Sequence, residues 1–272
     1  MTREELIFEY LGKKTINNNL DYQKEVSKIA YKLPMEEQRR LLPITNINDN
    51  KIIIISDTHY GSEHENYKYI DLVYNYAINN GINYILHAGD FMQGTVKPVL
   101  PSCQIMEKQI LYVLNNFPYD HSIKNYILIG NHDYFVFKKD DNIISYFDER
   151  NDIEFLGYRK VYINWCNYLI SLSHELKKIK VDVPRLESLI KFVGHRHELH
   201  IENNTIYVPT LSDDIKYYDN NYDNNPAFLE AELSEDNLNI YNNKIIDNKV
   251  KNKKLVFERK TNERVMIKWM VY

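Results

Sequence analysis

The 272-residue chain is 44% hydrophobic and 26% charged, which suits one large core or one core plus a small appendage and excludes a disordered chain. Net charge is −4, but Lys244 to Tyr272 carry nine Lys/Arg against three Asp/Glu, a surplus of +6 that leaves −10 for the rest. Apolar runs are too short to span a bilayer, no secretory leader is visible, and Cys103 and Cys166 stand far apart outside any CxxC; a cytoplasmic protein with no membrane partner, disulfide framework or thiolate metal site is expected.

In chain order, residues 1–45 read as a helical N-terminal segment, set apart from one domain over 46–272. Tyr22, Val26, Ile29, Ala30 and Leu33 recur at the spacing of one buried helix face, and Pro34 ends that helix. A second short helix fits Met35 to Leu42. Through Arg40 the segment has eight basic and seven acidic residues, which does not favour a DNA-reading helix pair. From residue 51 strands and helices alternate: a strand at Ile52 to Ile55, a helix near Glu65 to Asn79 stopped by Asn80-Gly81, a strand at Asn83 to His87, a helix near Gln104 to Asn116, and a strand at Tyr126 to Ile129. The continuous β-branched run Ile52 to Ile55 predicts a strand buried on both faces, and the βαβαβ rhythm predicts parallel pairing. After about residue 153 the rhythm changes to short strands: Lys160 to Ile163, Tyr168 to Ser173, Lys191 to Val193, Ile206 to Val208 and Ala227 to Leu233. Residues 222–272 read as strands joined by Asn-rich turns that complete the second sheet. The expected fold is α/β, a two-sheet β-sandwich flanked by helices.

Polar residues gather where the strands end. The first strand runs into Ser56-Asp57-Thr58-His59, the second into Ala88-Gly89-Asp90, the third into Gly130-Asn131-His132-Asp133. Later strands end in Ser173-His174-Glu175 and Gly194-His195-Arg196-His197. Ligand crevices of α/β sheets form at carboxyl ends of strands, so these pieces can converge across 140 residues of sequence. Asp, His and Asn offer hard oxygen and imidazole donors that suit Mn, Fe, Zn or Mg rather than a structural zinc.

This set closely resembles the calcineurin-like metallophosphoesterases, whose pattern runs DxH, GD, GNH(D/E), H and GHxH; every block is present in order over roughly residues 51–212. The resemblance implies a four-layer αββα fold and a site of two divalent metal ions, Mn first and Fe, Zn, Mg or Ni as alternatives. It implies that Asp57, His59 and His197 hold one metal, that Asn131, His174 and His195 hold the other, and that Asp90 bridges them. His132 would then protonate or stabilise the leaving oxygen, and Asp133 would orient His132 by accepting its other N–H. Tyr60 and His64 are further candidates for lining the cleft, whereas His87, His121 and His200 read as structural or surface residues.

The branch is less marked. Gly89-Asp90-Phe91-Met92-Gln93-Gly94 and the terminal Asp133 depart from the phosphoprotein phosphatases and look more like the branch of DNA-repair nucleases and phosphodiesterases. The expected substrate is a phosphate ester, with DNA, RNA or nucleotides first and a small cyclic diester second. The basic C-terminal stretch fits phosphate backbones, but lysines that guard a strand edge explain it equally well. Phosphomonoesterase activity and a non-catalytic binding scaffold are the alternatives. A homodimer is compatible with the sequence, which marks no interface.

Overall fold

The computed structural model describes residues 43–137, 143–158, 160–174, 188–213 and 225–261. The helical segment expected over residues 1–45 lies outside them except for its last three residues, which are extended. Pro43–Ile47 form β1, paired in parallel with a strand of the sandwich, so the expected division after residue 45 falls inside a strand.

The remaining described strands and α-helices are β2 (Lys51–Ile55), α1 (Tyr67–Asn80), β3 (Tyr84–His87), α2 (Met106–Asn116), β4 (Lys124–Ile129), α3 (Asn131–Phe137), β5 (Ile153–Tyr158), β6 (Lys160–Trp165), β7 (Tyr168–Ser173), β8 (Ile190–Val193), β9 (His200–Glu202), β10 (Thr205–Tyr207), β11 (Ala227–Leu233), β12 (Asn237–Ile246) and β13 (Lys249–Lys260). They form a seven-stranded sheet in the order β13-β12-β11-β2-β3-β4-β5 and a six-stranded sheet in the order β1-β6-β7-β8-β10-β9.

The pleat sorts each strand between two cores. Ile52 and Ile54 of β2 enter the core between the sheets with Trp165, Ile170, Leu172 and Phe192. Ile53 and Ile55 face the other way, toward the helices. There α1 supplies Ile70, Val73, Tyr74 and Ala77, a spacing that places one helical face on the sheet. Gly81 then stops α1 in the left-handed region at φ 63°, where its N–H caps the last turn. Among the described residues the order is therefore helices, seven-stranded sheet, six-stranded sheet; a fourth, helical layer is not among them.

The C-terminal strands join a different sheet from the one expected. β11 pairs antiparallel with the open edge of β2, with Leu229 opposite Ile54, and β12 and β13 follow it outward. Beside β2 both faces of β11 are covered, with Phe228 packed on the helical side and Leu229 and Ala231 on the sandwich side. β13 is left as the outermost strand, with Lys249, Lys251, Lys253, Lys254 and Lys260 exposed. No helix among the described residues is long and apolar enough to cross a membrane.

Candidate metal centre

Strand register brings the polar segments to one end of the molecule. Ile55 lies beside His87 and His87 beside Ile127, so the segments after β2, β3 and β4 leave the sheet together. In the other sheet Ser173 lies beside Val193, which sends out His174 and Gly194-His195 at matching heights.

Two of these loops are zipped together by their backbones. Asp57 N–H donates to Gly89 O at 3.0 Å, His59 N–H to Asp90 O at 3.0 Å, Tyr60 N–H to Phe91 O at 2.9 Å and Gln93 N–H to Tyr60 O at 2.8 Å. Within that ladder Asp57, His59 and Asp90 adopt φ of 54°, 50° and 55°, and in the later loop His195 and His197 adopt 82° and 60°. Left-handed backbone at a non-glycine residue costs on the order of 1–3 kcal/mol. Such residues concentrate where side chains must converge for function, and here five of the seven expected donors share the conformation.

The side chains meet in two overlapping groups. In the first, Nε2 of His197 and of His59 lie 3.3 and 3.8 Å from Asp57 Oδ1, and 3.3 Å from each other. In the second, His174 Nε2 lies 3.1 Å from Asp90 Oδ2 and 3.1 Å from Asn131 Oδ1, and His195 offers a further ligand atom beside Asp90 and His174. Asp90 stands between the groups. All seven expected donors are thus brought together.

The arrangement is electrostatically incomplete as a purely protein structure. Asp57 is fully buried and its Oδ1 receives no hydrogen bond. Burial alone would raise its carboxyl, yet His197, His174 and His59 hold it far below the usual range. Burial pushes His59 down to about 4, and its Nε2 lies 3.3 Å from that of His197, with its own Nδ1 buried and without a hydrogen-bond partner. Asp90 is held at about 2, since His174 outweighs the effect of burial. His174 Nδ1–H donates to Ala88 O at 2.7 Å, which turns its other nitrogen toward Asp90 and Asn131 Oδ1. That nitrogen opposes two oxygens, and despite burial Asp90 and Asp57 raise His174 to about 10. A divalent cation in each group would resolve these contacts, and oxygen and imidazole donors suit one. The residues present fit divalent-metal binding.

Surrounding groups fix the donors. Asp57 Oδ2 accepts the His195 N–H at 3.0 Å, and the Asp57 carbonyl accepts the Thr210 hydroxyl at 2.8 Å. Buried His87 accepts the Gly89 N–H on Nδ1 and donates from Nε2 to Thr58, whose hydroxyl passes on to Phe91 O at 3.0 Å. Its structural role matches the sequence reading.

His132 sits at the rim with its side chain 18% exposed and Nε2 4.0 Å from Asp90 Oδ2. Its Nδ1–H donates to the carbonyl of Gln93 at 3.0 Å. This corrects the expected role of Asp133, whose carboxylate instead accepts the N–H groups of Phe91 (3.0 Å), Met92 (2.6 Å) and Gly130 (2.9 Å). Three backbone donors fill that carboxylate, so the neighbouring ring takes a backbone carbonyl. The Gln93 carbonyl was invisible in the sequence, since any residue supplies one. Tyr60 turns away from the cluster and packs 5.7 Å from the Phe91 ring and 5.8 Å from that of Phe117. Arg196 is exposed and lies 3.9 Å over the Tyr207 ring.

A two-sheet sandwich carrying paired Asp/His donor groups at one end of its strands is the framework of a metal-dependent hydrolase. The chain belongs to the calcineurin-like phosphoesterases, whose family model matches residues 50–213. Among solved structures it is similar to vacuolar protein sorting 29 from Cryptosporidium parvum (19% identity, 78% of this chain and 98% of that one, TM-score 0.47). It is also similar to the phosphoesterase YfcE from E. coli (13% identity, 76% and 100%, TM-score 0.44) and the nuclease MPE from Pseudomonas putida (12% identity, 70% and 83%, TM-score 0.35). These likenesses bear on neither substrate nor mechanism. No curated protein matches the chain.

Proposed function

We propose that the protein hydrolyses phosphodiester bonds in nucleic acids or nucleotides, with two divalent cations, Mn foremost, held by Asp57, His59 and His197 and by Asn131, His174 and His195, and with Asp90 shared between them. When bound, such cations supply Lewis acidity, making water a nucleophile near neutral pH and offsetting phosphate charge. The observation that carries the reading is the placement of His132. Its ring is fixed on one side by Gln93 O, and its free nitrogen faces the donor cluster at a partly open rim. From there it can give a proton to the leaving oxygen as the phosphorus–oxygen bond breaks. Asp90 accepts the His132 backbone N–H at 2.8 Å and so ties the acid to the donor shared by both groups.

The exposed lysines of β13 support a polyanionic substrate, because phosphate backbones are bound chiefly through Lys and Arg. The free thiols, Cys103 buried and Cys166 partly so, support a cytoplasmic setting. Incubating the Mn-loaded protein with single-stranded DNA, double-stranded DNA, RNA and a small cyclic diester tests the substrate class. The reading expects cleavage of a polynucleotide. Cleavage of small diesters alone, without competition from added DNA, would remove the nuclease assignment. Turnover of monoesters alone would make the protein a phosphatase.

A further inference from the structure

Gln109 is a polar side chain in the first turn of α2, yet it is completely buried. An amide there is stable only if its hydrogen bonds are met. Its Oε1 accepts the Gly94 N–H at 2.8 Å, and its Nε2 lies 3.2 Å from the carbonyls of both Gly94 and Cys103. The amide therefore reads one residue, Gly94, through both backbone groups, and ties that residue to the helix.

Gly94 immediately follows Gln93, whose carbonyl holds the His132 ring. The carbonyl's direction depends on the peptide plane between residues 93 and 94, and the Gly94 N–H bonded to Gln109 belongs to that same plane. Gln109 also packs beneath Gly61, in the loop that carries Asp57 and His59. A Cβ at Gly61 would lie 2.9 Å from Gln109 Cγ, Cδ and Nε2. Gln109 thus bonds both backbone groups of Gly94, whereas the Gln93 side chain is itself turned away, donating to Val96 O at 2.7 Å.

We infer that Gln109 is a positioning residue for His132: its amide fixes the 93–94 peptide plane and thereby the carbonyl that orients the imidazole. The inference rests on the reading of His132 as the proton donor. The hydrogen bonds of Gln109 go to Gly94 and Cys103 and to none of the seven metal donors, so its loss is expected to act on the proton-transfer step and to leave metal binding intact.

The test is a double-mutant cycle on the full-length, Mn-loaded protein, with bis-p-nitrophenyl phosphate as probe and Gln109→Met and His132→Ala as the two arms. Gln109→Met keeps length and removes all three hydrogen bonds; Gln109→Glu, which keeps only the acceptor, is the second variant should Met prove unstable. The expected result is a fall in kcat of about 10-fold for Gln109→Met with KM and Mn affinity unchanged, and no further fall when it is added to His132→Ala. Across p-nitrophenyl and phenyl esters of thymidine 5′-phosphate the loss grows with the poorer leaving group, as it does for His132→Ala. A loss of equal size in both backgrounds, or equal on both esters, overturns the inference, since Gln109 then acts on the loops in general. Wild-type kcat in both Gln109 variants also overturns it. Undiminished activity in His132→Ala alone refutes the reading of His132 itself, and that pattern is distinct from the others.

Discussion

Asp133 accepts hydrogen bonds from Phe91, Met92 and Gly130 while 1% exposed, and burial together with Asp90 raises its carboxyl to about 6. Asp133→Asn would oppose an NH2 group to one or more of these donors. Loss of charge-assisted bonds at a buried site is expected to cost about 2–3 kcal/mol, read as a lower denaturant midpoint; an unchanged midpoint would show that the clamp is dispensable. Gly89 presents a steric case. Its φ is 103°, and a Cβ there would lie 2.5 Å from His174 Nδ1, the nitrogen bound to Ala88 O. Gly89→Ala should displace that ring and weaken Mn binding about 10-fold or more in calorimetry, whereas wild-type affinity would mean that the ring relaxes without leaving its place. At this scale the sequence discloses donors better than their partners. Six of the seven side chains that converge were legible because each sits in a distinctive block at a strand end, whereas His174, in an undistinctive Ser-His-Glu, was marked only by its place at the end of a strand between the third and fifth blocks. Asp133 was misassigned because its partners Phe91 and Met92 lie more than 40 residues away, and nothing local reveals which backbone will face a side chain.

Elements were legible in proportion to how regular their burial is. The runs at β2, β7 and β11 and the amphipathic face of α1 announce themselves, since one side of a strand or helix must be apolar. β9 and β10 have three residues each, too few for any period to show, and β1 was hidden beside Pro43. The sheet joined by β11 could not be read at all, because burial on both faces does not say which edge a strand will meet. β3 carries a pH-sensitive feature in His87, which burial pushes down to about 3. The neutral ring is favoured on folding, so its contribution is complete above the unfolded value of 6.5. It is then lost as pH falls from there toward 3. Between pH 7 and 5 this amounts to about 2 kcal/mol. Denaturant midpoints at the two pH values should converge in His87→Gln by that amount relative to wild type; equal pH slopes would show that His87 is not the group concerned.

For the molecule as a whole, the donor cluster joins the two sheets. Asp57, His59, Asp90 and Asn131 come from the seven-stranded sheet, and His174, His195 and His197 from the six-stranded one. A cation bound there crosslinks the halves of the sandwich and selects the folded state. At a metal concentration about 100 times Kd the gain is about 2.7 kcal/mol, so chelation with EDTA should lower Tm by roughly 5–10 °C. A Tm indifferent to EDTA and to added Mn would deny the cluster any metal. The central claim is metal-dependent diester hydrolysis at this cluster. Its most direct test is hydrolysis of bis-p-nitrophenyl phosphate and p-nitrophenyl phosphate by the EDTA-stripped protein, before and after Mn is restored, with Asp90→Asn and His132→Ala beside it. The account predicts diester cleavage that returns with Mn, falls to background in Asp90→Asn and falls at least about 10-fold in His132→Ala. A protein that binds Mn yet cleaves neither ester would contradict it.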